Sequence, residues 1–306
     1  MPHTIEPICA IELPSGEDVA VLRRRFQGGE GPRVVLVAGV RGDTPEGTRI
    51  LHAAGRHLLA VHERLQGTVD LFPCVNPLAA HLGARAWPGF DVDLDRRFPG
   101  RADGHAPDRV AHAIVEAIRG ADQVVELRGA HPAFRQAAQA RVHPAQAEAI
   151  ERATACNARV LWRRDEATDG SLAEAVPSLI SLEGGVGNRL TEGVGLELCD
   201  GVLNLLAVMG ILPEDQLPFH WAAIQRPISV DDDGVIPVRA ERGGLFLPLV
   251  GVWAEVEAGE VLGEVVEPVT GEVRESIVAP RGGRVLAQRE QPVVYPGNLV
   301  ARVVAP

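Results

Sequence analysis

The stretch Val34–Gly47, with the sequence VVLVAGVRGDTPEG, constrains the fold of this chain more than any other. Its first five residues are apolar and form a run of the length expected for a buried parallel strand. Gly39 ends the run, and Gly42 and Pro45 mark a turn before apolar residues continue at helical spacing. A strand, a sharp loop and a helix place the loop at the carboxyl end of a sheet, where open α/β folds bind their ligands. The loop therefore supplies candidate functional residues, which are Arg41, Asp43, Thr44 and Glu46.

Strands and helices alternate along the first 225 residues of the chain. The segment 5–26 has an alternating apolar pattern with a turn at 14–16, which predicts two edge strands. Further strands are predicted at 68–75, 123–127, 159–162 and 178–182, and helices at 46–63, 107–119, 144–156 and 193–211. This alternation predicts an α/β domain with a largely parallel sheet over residues 1–225. Residues 83–104, which include DVDLDRRFPG, are predicted to form an ordered loop over a site.

The pattern changes after about Gln225. From there, short valine-rich strands alternate with glycines up to the end of the chain. Such spacing is typical of a small all-β barrel or sandwich. We therefore predict a second, all-β domain over residues 226–306.

Composition and charge exclude several classes of function. The net charge of −11 argues against a nucleic-acid partner, because phosphate binding requires a basic surface. No apolar run has the length of a membrane span, and the four scattered cysteines predict reduced thiols in a cytoplasmic protein. The chain contains no lysine, which excludes Schiff-base chemistry and the attachment of biotin or lipoate. The formation of a homo-oligomer is left open.

Several motifs occur in the order and spacing of a known family. They are GVRGDTPEG, Asn76-Pro77 with Arg85, DLDRRFPG, VELRG and SLEGG, followed by the glycine-rich strands of the C-terminal part. With these motifs the chain resembles the succinylglutamate desuccinylase/aspartoacylase family. The resemblance implies a zinc-carboxypeptidase-like fold with a β-barrel appendage similar to biotinyl domains. It also implies a hydrolase ancestry, in which a zinc-bound water cleaves the amide bond of an N-acyl amino acid or a similar compound.

The zinc ligands that the resemblance implies are absent from their positions. The family has His and Glu in its first loop and a further His later, where this chain has Arg41, Thr44 and Arg128. Arginine has no lone pair to offer a metal at accessible pH. We therefore predict that no cofactor is bound, that the zinc site is degenerate, and that the chain is a pseudoenzyme candidate.

Other site residues of the family are retained. Glu183 occupies the position of the general base or acid, and Arg85, nine residues after Asn76, that of the arginine that polarises the scissile carbonyl. Arg96 matches the arginine that holds the substrate carboxylate. Asp95 stands where the family usually has asparagine, so it is placed to pair with an arginine.

Two functions from different classes follow. In the first, Arg41, Arg85, Arg96 and Arg128 form a pocket that binds a small carboxylate or another anionic metabolite. Charge-assisted hydrogen bonds of this kind contribute about 1.5–3 kcal/mol each. In the second, the chain is an active hydrolase, either with replacement zinc ligands such as Asp43, Glu46 and His131 or with metal-free acid–base chemistry through Glu183. Ordinary ion pairs, with Asp91, Asp93 or Asp95 as partners, are the structural alternative for Arg85 and Arg96.

Overall fold

The chain folds around one large mixed β-sheet, seen here in a computed structural model that describes residues 2–165, 170–219 and 224–305. The strands of the N-terminal part are β1 (Thr4–Glu12), β2 (Asp18–Gln27), β3 (Gly29–Ala38), β4 (Gln66–Phe72), β5 (Ala86–Trp87), β6 (Val92–Asp93), β7 (Gln123–Gly129), β8 (Phe134–Val142), β9 (Val160–Arg163) and β10 (Ile180–Val186). The helices are α1 (Glu46–Ala60), α2 (Pro77–Leu82), α3 (Ala106–Ile118), α4 (Ala147–Ala153), α5 (Leu172–Ala175) and α6 (Glu192–Val208).

The centre of the sheet is parallel, as predicted. Strands β4, β3, β7 and β10 lie side by side in this order, and each pairs in parallel with the next. Strands β1 and β2 add an antiparallel edge on one side, and β8 adds an antiparallel neighbour on the other. The fold is therefore the predicted α/β architecture with a largely parallel core.

Two hydrophobic cores cover the two faces of this sheet. Strand β3 supplies both, since Val34 and Leu36 belong to the core under α1 and α6, whereas Val35 and Val37 belong to the core under α3. This alternation follows from the period of two along a strand. Helix α1 packs closely on β7 at Gly47, where an added Cβ would lie 2.0 Å from the carbonyl oxygen of Leu127. The apolar run that opened the sequence is thus the central strand, buried on both faces.

A buried carboxylate joins the antiparallel edge to the parallel centre. Asp70 on β4 accepts hydrogen bonds from Arg25 on β2, at 2.6 and 2.8 Å. It also accepts hydrogen bonds from Arg33 on β3, at 2.9 and 2.7 Å. Because Asp70 is fully buried, the carboxylate depends on these two arginines to replace its hydration.

The C-terminal part is all-β, as predicted. Its strands are β11 (Ile228–Val230), β12 (Val235–Arg239), β13 (Gly244–Pro248), β14 (Glu255–Val256), β15 (Val261–Val266), β16 (Val273–Val278), β17 (Gly283–Arg289), β18 (Val293–Val294) and β19 (Leu299–Val304). Strands β16, β15, β13 and β18 form one sheet, which shares an apolar core with β12, β17 and β19.

Strands on the two sides of the predicted boundary at residue 225 are hydrogen-bonded to each other. Strand β17 pairs with β8, and β11 pairs in parallel with β9, so both parts contribute to the large sheet. The division into two domains stays a prediction, and these pairings connect the backbones of its two parts. Among the described helices, none combines the length and the apolarity that crossing a membrane requires.

Candidate functional site

Two rows of polar side chains cross three neighbouring strands of the sheet. In one row, Glu126 of β7 pairs with Ser181 of β10, which in turn pairs with Arg141 of β8. The second row, two residues along each strand, consists of Arg128, Glu183 and Gln139. Partners on adjacent strands share a face of the sheet, and so do residues two apart on one strand. All six side chains therefore lie on the same face, and all except Arg128 and Arg141 carry less than 6% of their possible exposure.

The carboxylate of Glu183 is held by two hydrogen-bond donors and by an ion pair with a third side chain. Arg141 donates to Oε1 at 2.6 Å, and Gln139 donates to the same oxygen at 2.9 Å. The Nε of Arg128 lies 3.4 Å from Oε2. Two guanidinium groups and an amide thus neutralise and orient a carboxylate that the fold has taken out of water.

A second carboxylate, Asp95, joins the first loop to the end of β7. Its Oδ2 accepts a hydrogen bond from Arg41 at 2.7 Å and lies 3.8 Å from a terminal nitrogen of Arg128. The same nitrogen of Arg128 lies 3.8 Å from Oε2 of Glu126. Arg41 and Arg128 therefore meet at one carboxylate, although they are far apart in the sequence.

Thr44 lies at the same junction. The Oγ1 of Thr44 donates to the carbonyl oxygen of Arg41 at 3.2 Å. A Cβ added to Gly129 would lie 3.5 Å from the Cβ of Thr44. The structure thus brings together Arg41, Thr44 and the end of β7.

The charged side chains of this network line a cavity of about 200 Å³. Its lining residues are Arg41, Asp95, Glu126, Arg128, Arg141, Arg164, Asp165, Ser171, Ala173, Ser181 and Glu183. Among the residues that the structure describes, four arginines face four carboxylates here, so their formal charges balance. Pockets for drug-sized ligands measure roughly 300–1,000 Å³, so this cavity has room for a smaller molecule.

Of the four arginines of the predicted pocket, Arg41 and Arg128 line this cavity, whereas Arg85 and Arg96 do not. Both line a separate, more open depression on the surface. Asp93 holds the guanidinium of Arg85 through contacts of 2.8 and 2.7 Å, which is the ion pair considered as the structural alternative. A single turn of 3-10 helix at residues 94–96 separates the two neighbours, because it buries Asp95 and leaves Arg96 exposed.

Asn76 is buried and makes structural contacts. Its Oδ1 accepts the backbone N–H of Ala79 at 3.3 Å and so caps α2. Its Nδ2 donates to the carbonyl oxygen of Val40 at 3.4 Å. Asn76 therefore ties the loop after β4 to the loop after β3.

The alternative metal ligands Asp43, Glu46 and His131 do not form a cluster. Glu46 is fully buried, and its carboxylate accepts the backbone N–H of Thr191 at 2.5 Å, beside the start of α6. Burial lowers the pKa of His131, and the charge of Arg85 lowers it further, against the opposing effect of Asp43. Within the described ranges, no three His, Cys, Asp or Glu side chains are placed to hold a metal ion together.

The groups around Arg41 and Arg128 do not fit a zinc ion. Guanidinium groups offer hydrogen-bond donors and no lone pair, and the nearest carboxylates are engaged with these same arginines. A divalent cation placed here would meet like charges in contact with it. What the arrangement can do is donate several charge-assisted hydrogen bonds to oxygen atoms of a ligand.

Sequence reasoning missed part of the lining. Arg141 and Arg164 of the lining, and Gln139 beside Glu183, were not singled out. Of these, Gln139 and Arg141 lie on β8, which was not predicted as a strand. Its sequence FRQAAQARV is rich in alanine, glutamine and arginine, which have weak strand preferences. Ser181 had a usable signal, because it precedes Glu183 by two residues on a predicted strand and must share its face.

Comparisons with known proteins agree with this architecture. Residues 30–209 match the succinylglutamate desuccinylase/aspartoacylase catalytic domain. The solved structure of the ectoine utilization protein EutE (DoeB) from Ruegeria pomeroyi superposes with a TM-score of 0.82 at 23% identity, covering 100% of this chain and 99% of that one. A succinylglutamate desuccinylase from a Silicibacter species gives a TM-score of 0.84 at 22% identity, covering 100% and 96% of the two chains.

A curated relative adds a match in sequence. The N-alpha-acetyl-L-2,4-diaminobutyric acid deacetylase of Halomonas elongata is 34% identical over 107 residues, which is 35% of this chain and 30% of that protein. The aligned segment thus spans less than a third of the curated relative. The domain match covers more than half of this chain, and the chain belongs to the succinylglutamate desuccinylase/aspartoacylase family.

Proposed function

We propose that this chain is a member of the N-acyl amino acid deacylase family that has lost the zinc site and binds a small carboxylate metabolite. In this proposal the arginine–carboxylate network takes the place of the metal centre. The protein then serves as a binding protein, for sensing or scaffolding, and does not hydrolyse amides by the zinc mechanism.

The observation that carries the proposal is the meeting of Arg41 and Arg128 at Asp95, at 2.7 and 3.8 Å. Family resemblance assigns two zinc ligands to these two arginine positions. Two guanidinium groups supply positive charge, beside the Thr44 hydroxyl, at the positions where the family has zinc with one glutamate and two histidines. They could not lower the pKa of a water molecule in the way that zinc does.

The charge balance of the cavity narrows the class of ligand. Each arginine that would bind a ligand carboxylate now contacts a carboxylate of the protein, as Arg141 does with Glu183 at 2.6 Å. A ligand carboxylate must therefore displace or share these partners. A small molecule that also carries hydrogen-bond donors, such as an N-acyl amino acid with its amide N–H, would satisfy the displaced acids. The name of the Halomonas relative places an N-acetylated amino acid among the molecules to test.

Hydrolysis has less support. A general base must turn a carboxylate oxygen toward the substrate, but Gln139 and Arg141 hold Oε1 of Glu183 by hydrogen bonds, and Oε2 lies 3.4 Å from Nε of Arg128. Of the replacement zinc ligands considered, Glu46 is already engaged, because its carboxylate accepts the backbone N–H of Thr191 just before α6. The proposal includes the predicted cytoplasmic location, in which the cysteines are reduced thiols. Burial raises the pKa of Cys156 and Cys199 to about 12, so both thiols are protonated.

The test combines elemental analysis with ligand binding. Protein purified without added metal should contain zinc well below one ion per chain, and chelation should leave the melting temperature unchanged. Succinate, citrate, N-acetylaspartate and phosphate should be screened at millimolar concentration by thermal shift, followed by isothermal titration of those that stabilise. At least one carboxylate should raise the melting temperature, with an effect that weakens as salt increases.

Two matched variants locate the site. Arg128→Met removes a cavity arginine, whereas Arg96→Met removes an exposed arginine outside the cavity. The ligand-induced shift should disappear in the first variant and persist in the second. Stoichiometric zinc whose removal abolishes deacylation of an N-acetyl amino acid would overturn the proposal. So would a wild-type melting curve that none of the four anions moves.

A further inference from the structure

A single tryptophan lies behind the polar cavity. Strand β9 pairs with β8 so that Trp162 lies beside Arg141, which extends the row of Glu126 and Ser181 across a fourth strand. The side chain is 4% exposed and packs in a small apolar cluster shared by β9 and the C-terminal strands. The indole thus joins the cavity wall to the C-terminal part of the chain.

Three guanidinium groups surround this indole. The Cζ atoms of Arg164, Arg141 and Arg302 lie 4.5, 5.1 and 6.0 Å from the ring centroid. Arg141 and Arg164 line the cavity, and Arg302 lies on β19. Burial and then the charge of Arg141 lower the pKa of Arg302, against the opposing effect of Glu183. The cluster is therefore crowded with positive charge, and its geometry depends on nearby carboxylates.

One of these carboxylates comes from the turn that precedes β12. Oδ1 of Asp232 accepts a hydrogen bond from Nε1 of Trp162 at 2.8 Å. The same oxygen lies 3.5 Å from Nε of Arg164. Asp232 does not belong to the described cavity lining, yet it contacts the edge of the indole and one of the lining arginines.

We propose that Asp232 is a positioning residue for the cavity, which fixes Trp162 and Arg164 and thereby the direction in which Arg164 and Arg141 present their donors. The inference rests on the proposed carboxylate-binding function. Cation–π attraction acts within about 6 Å of the ring centroid and does not by itself fix one position of a guanidinium. Asp232 restricts this position, since it accepts a hydrogen bond from the ring and forms an ion pair with the guanidinium of Arg164. The turn before β12, in the C-terminal part, then affects the affinity of the cavity for its ligand, although the lining residues belong to the α/β part.

The test compares Asp232→Ala, Asp232→Asn and the control Asp233→Ala in the full chain. Asp233 is the next residue in the same turn and is exposed, as Asp232 is. Succinate is the probe, measured by isothermal titration beside the melting temperature of each ligand-free variant. We expect Asp232→Ala to weaken binding about two- to fivefold, the range of a partly exposed ion pair. Asp232→Asn keeps the acceptor for Trp162 and should recover part of the loss, whereas Asp233→Ala should match wild type.

A crystal structure of Asp232→Ala provides a measurement that needs no ligand. We expect the guanidinium of Arg164 to leave the position it holds over Trp162. An unmoved Arg164 in that structure would overturn the inference, even if wild type bound no carboxylate. Wild-type affinity in Asp232→Ala, or an equal loss in Asp233→Ala, would also overturn it while the proposed function stood. If wild type binds none of the carboxylates but Arg164 moves, the proposed function fails and the positioning role is supported.

Discussion

Replacing Glu183 with glutamine should destabilise the protein by about 3 kcal/mol. The side chains of Glu183, Arg141 and Arg128 keep only 7, 12 and 10% of their exposure, so water cannot replace the lost charge. Removing one partner of a buried ion pair costs about 3–5 kcal/mol. We take the lower end of this range, because glutamine keeps a neutral acceptor and Arg128 retains two other carboxylates at 3.8 Å.

The assay is urea unfolding and thermal melting of Glu183→Gln beside Glu126→Gln. A loss of about 3 kcal/mol corresponds to a decrease in melting temperature of roughly 5 °C for a protein of 306 residues. The two contacts of Glu126 described above, with Arg128 and Ser181, are longer at 3.8 and 3.5 Å, so its variant is the comparison within the same network.

The opposite result would refute the reasoning. Carboxylates retained for catalysis are often held at a cost in stability, and their removal leaves a protein equally or more stable. If the melting temperature of Glu183→Gln equals or exceeds that of wild type, Glu183 is not the structural anchor of the network. The acid–base alternative for this residue would then regain its support.

Three further predictions concern the metal, the acid limb of stability and the packing of α1. The first uses the triple variant Arg41→His, Thr44→Glu and Arg128→His. Three converging donors suffice for a catalytic-type zinc site, so the variant should bind zinc tightly in a titration where wild type does not. A folded variant with no gain in zinc affinity would refute the assignment of these positions. Burial tends to raise the pKa of Asp70, but hydrogen bonds from its two arginines outweigh burial and leave the pKa below its usual value. The contribution of Asp70 to stability is therefore present above about pH 4 and is lost as pH falls through the lowered pKa. Asp70→Asn should have a lower melting temperature than wild type at pH 7, and its melting temperature should fall less steeply below pH 4. A variant with the pH profile of wild type would contradict this. Gly47→Ala should cost about 1–3 kcal/mol in urea unfolding, because its Cβ would meet a carbonyl oxygen at 2.0 Å, whereas Gly193→Ala, with open space around it in α6, should be neutral or stabilising.

The parts of the fold that could be predicted from the sequence are those with a strong local pattern. The run ending at Ala38 has five apolar residues between clear turn signals, and it is the central strand in the structure. Strand β8 has no such pattern, because its burial comes from β10 on one side and from β9 and β17 on the other. Its alanines and glutamines become buried only once those partners are in place.

The candidate site divides in the same way. Motif positions located Arg41, Arg128 and Glu183 at one cavity. Arg85 and Arg96 have the same residue type and equally good motif positions, yet they lie outside it. The directions of these two side chains depend on the 3-10 turn at residues 94–96 and on the hydrogen bond between Arg85 and Asp93. No periodicity in the sequence encodes either feature.

The pairing of β8 with β17 has a consequence for how this chain can be divided. A fragment ending near residue 225 would lack β17 and leave residues 134–136 of β8 with unpaired backbone groups along an open edge. The complementary fragment would present the matching edge at residues 287–289. Such edges pair readily with other chains, so each fragment would tend to aggregate when expressed alone. Mixed together during refolding, the two fragments offer each other the missing strand, and complementation in trans becomes the expected behaviour of this protein.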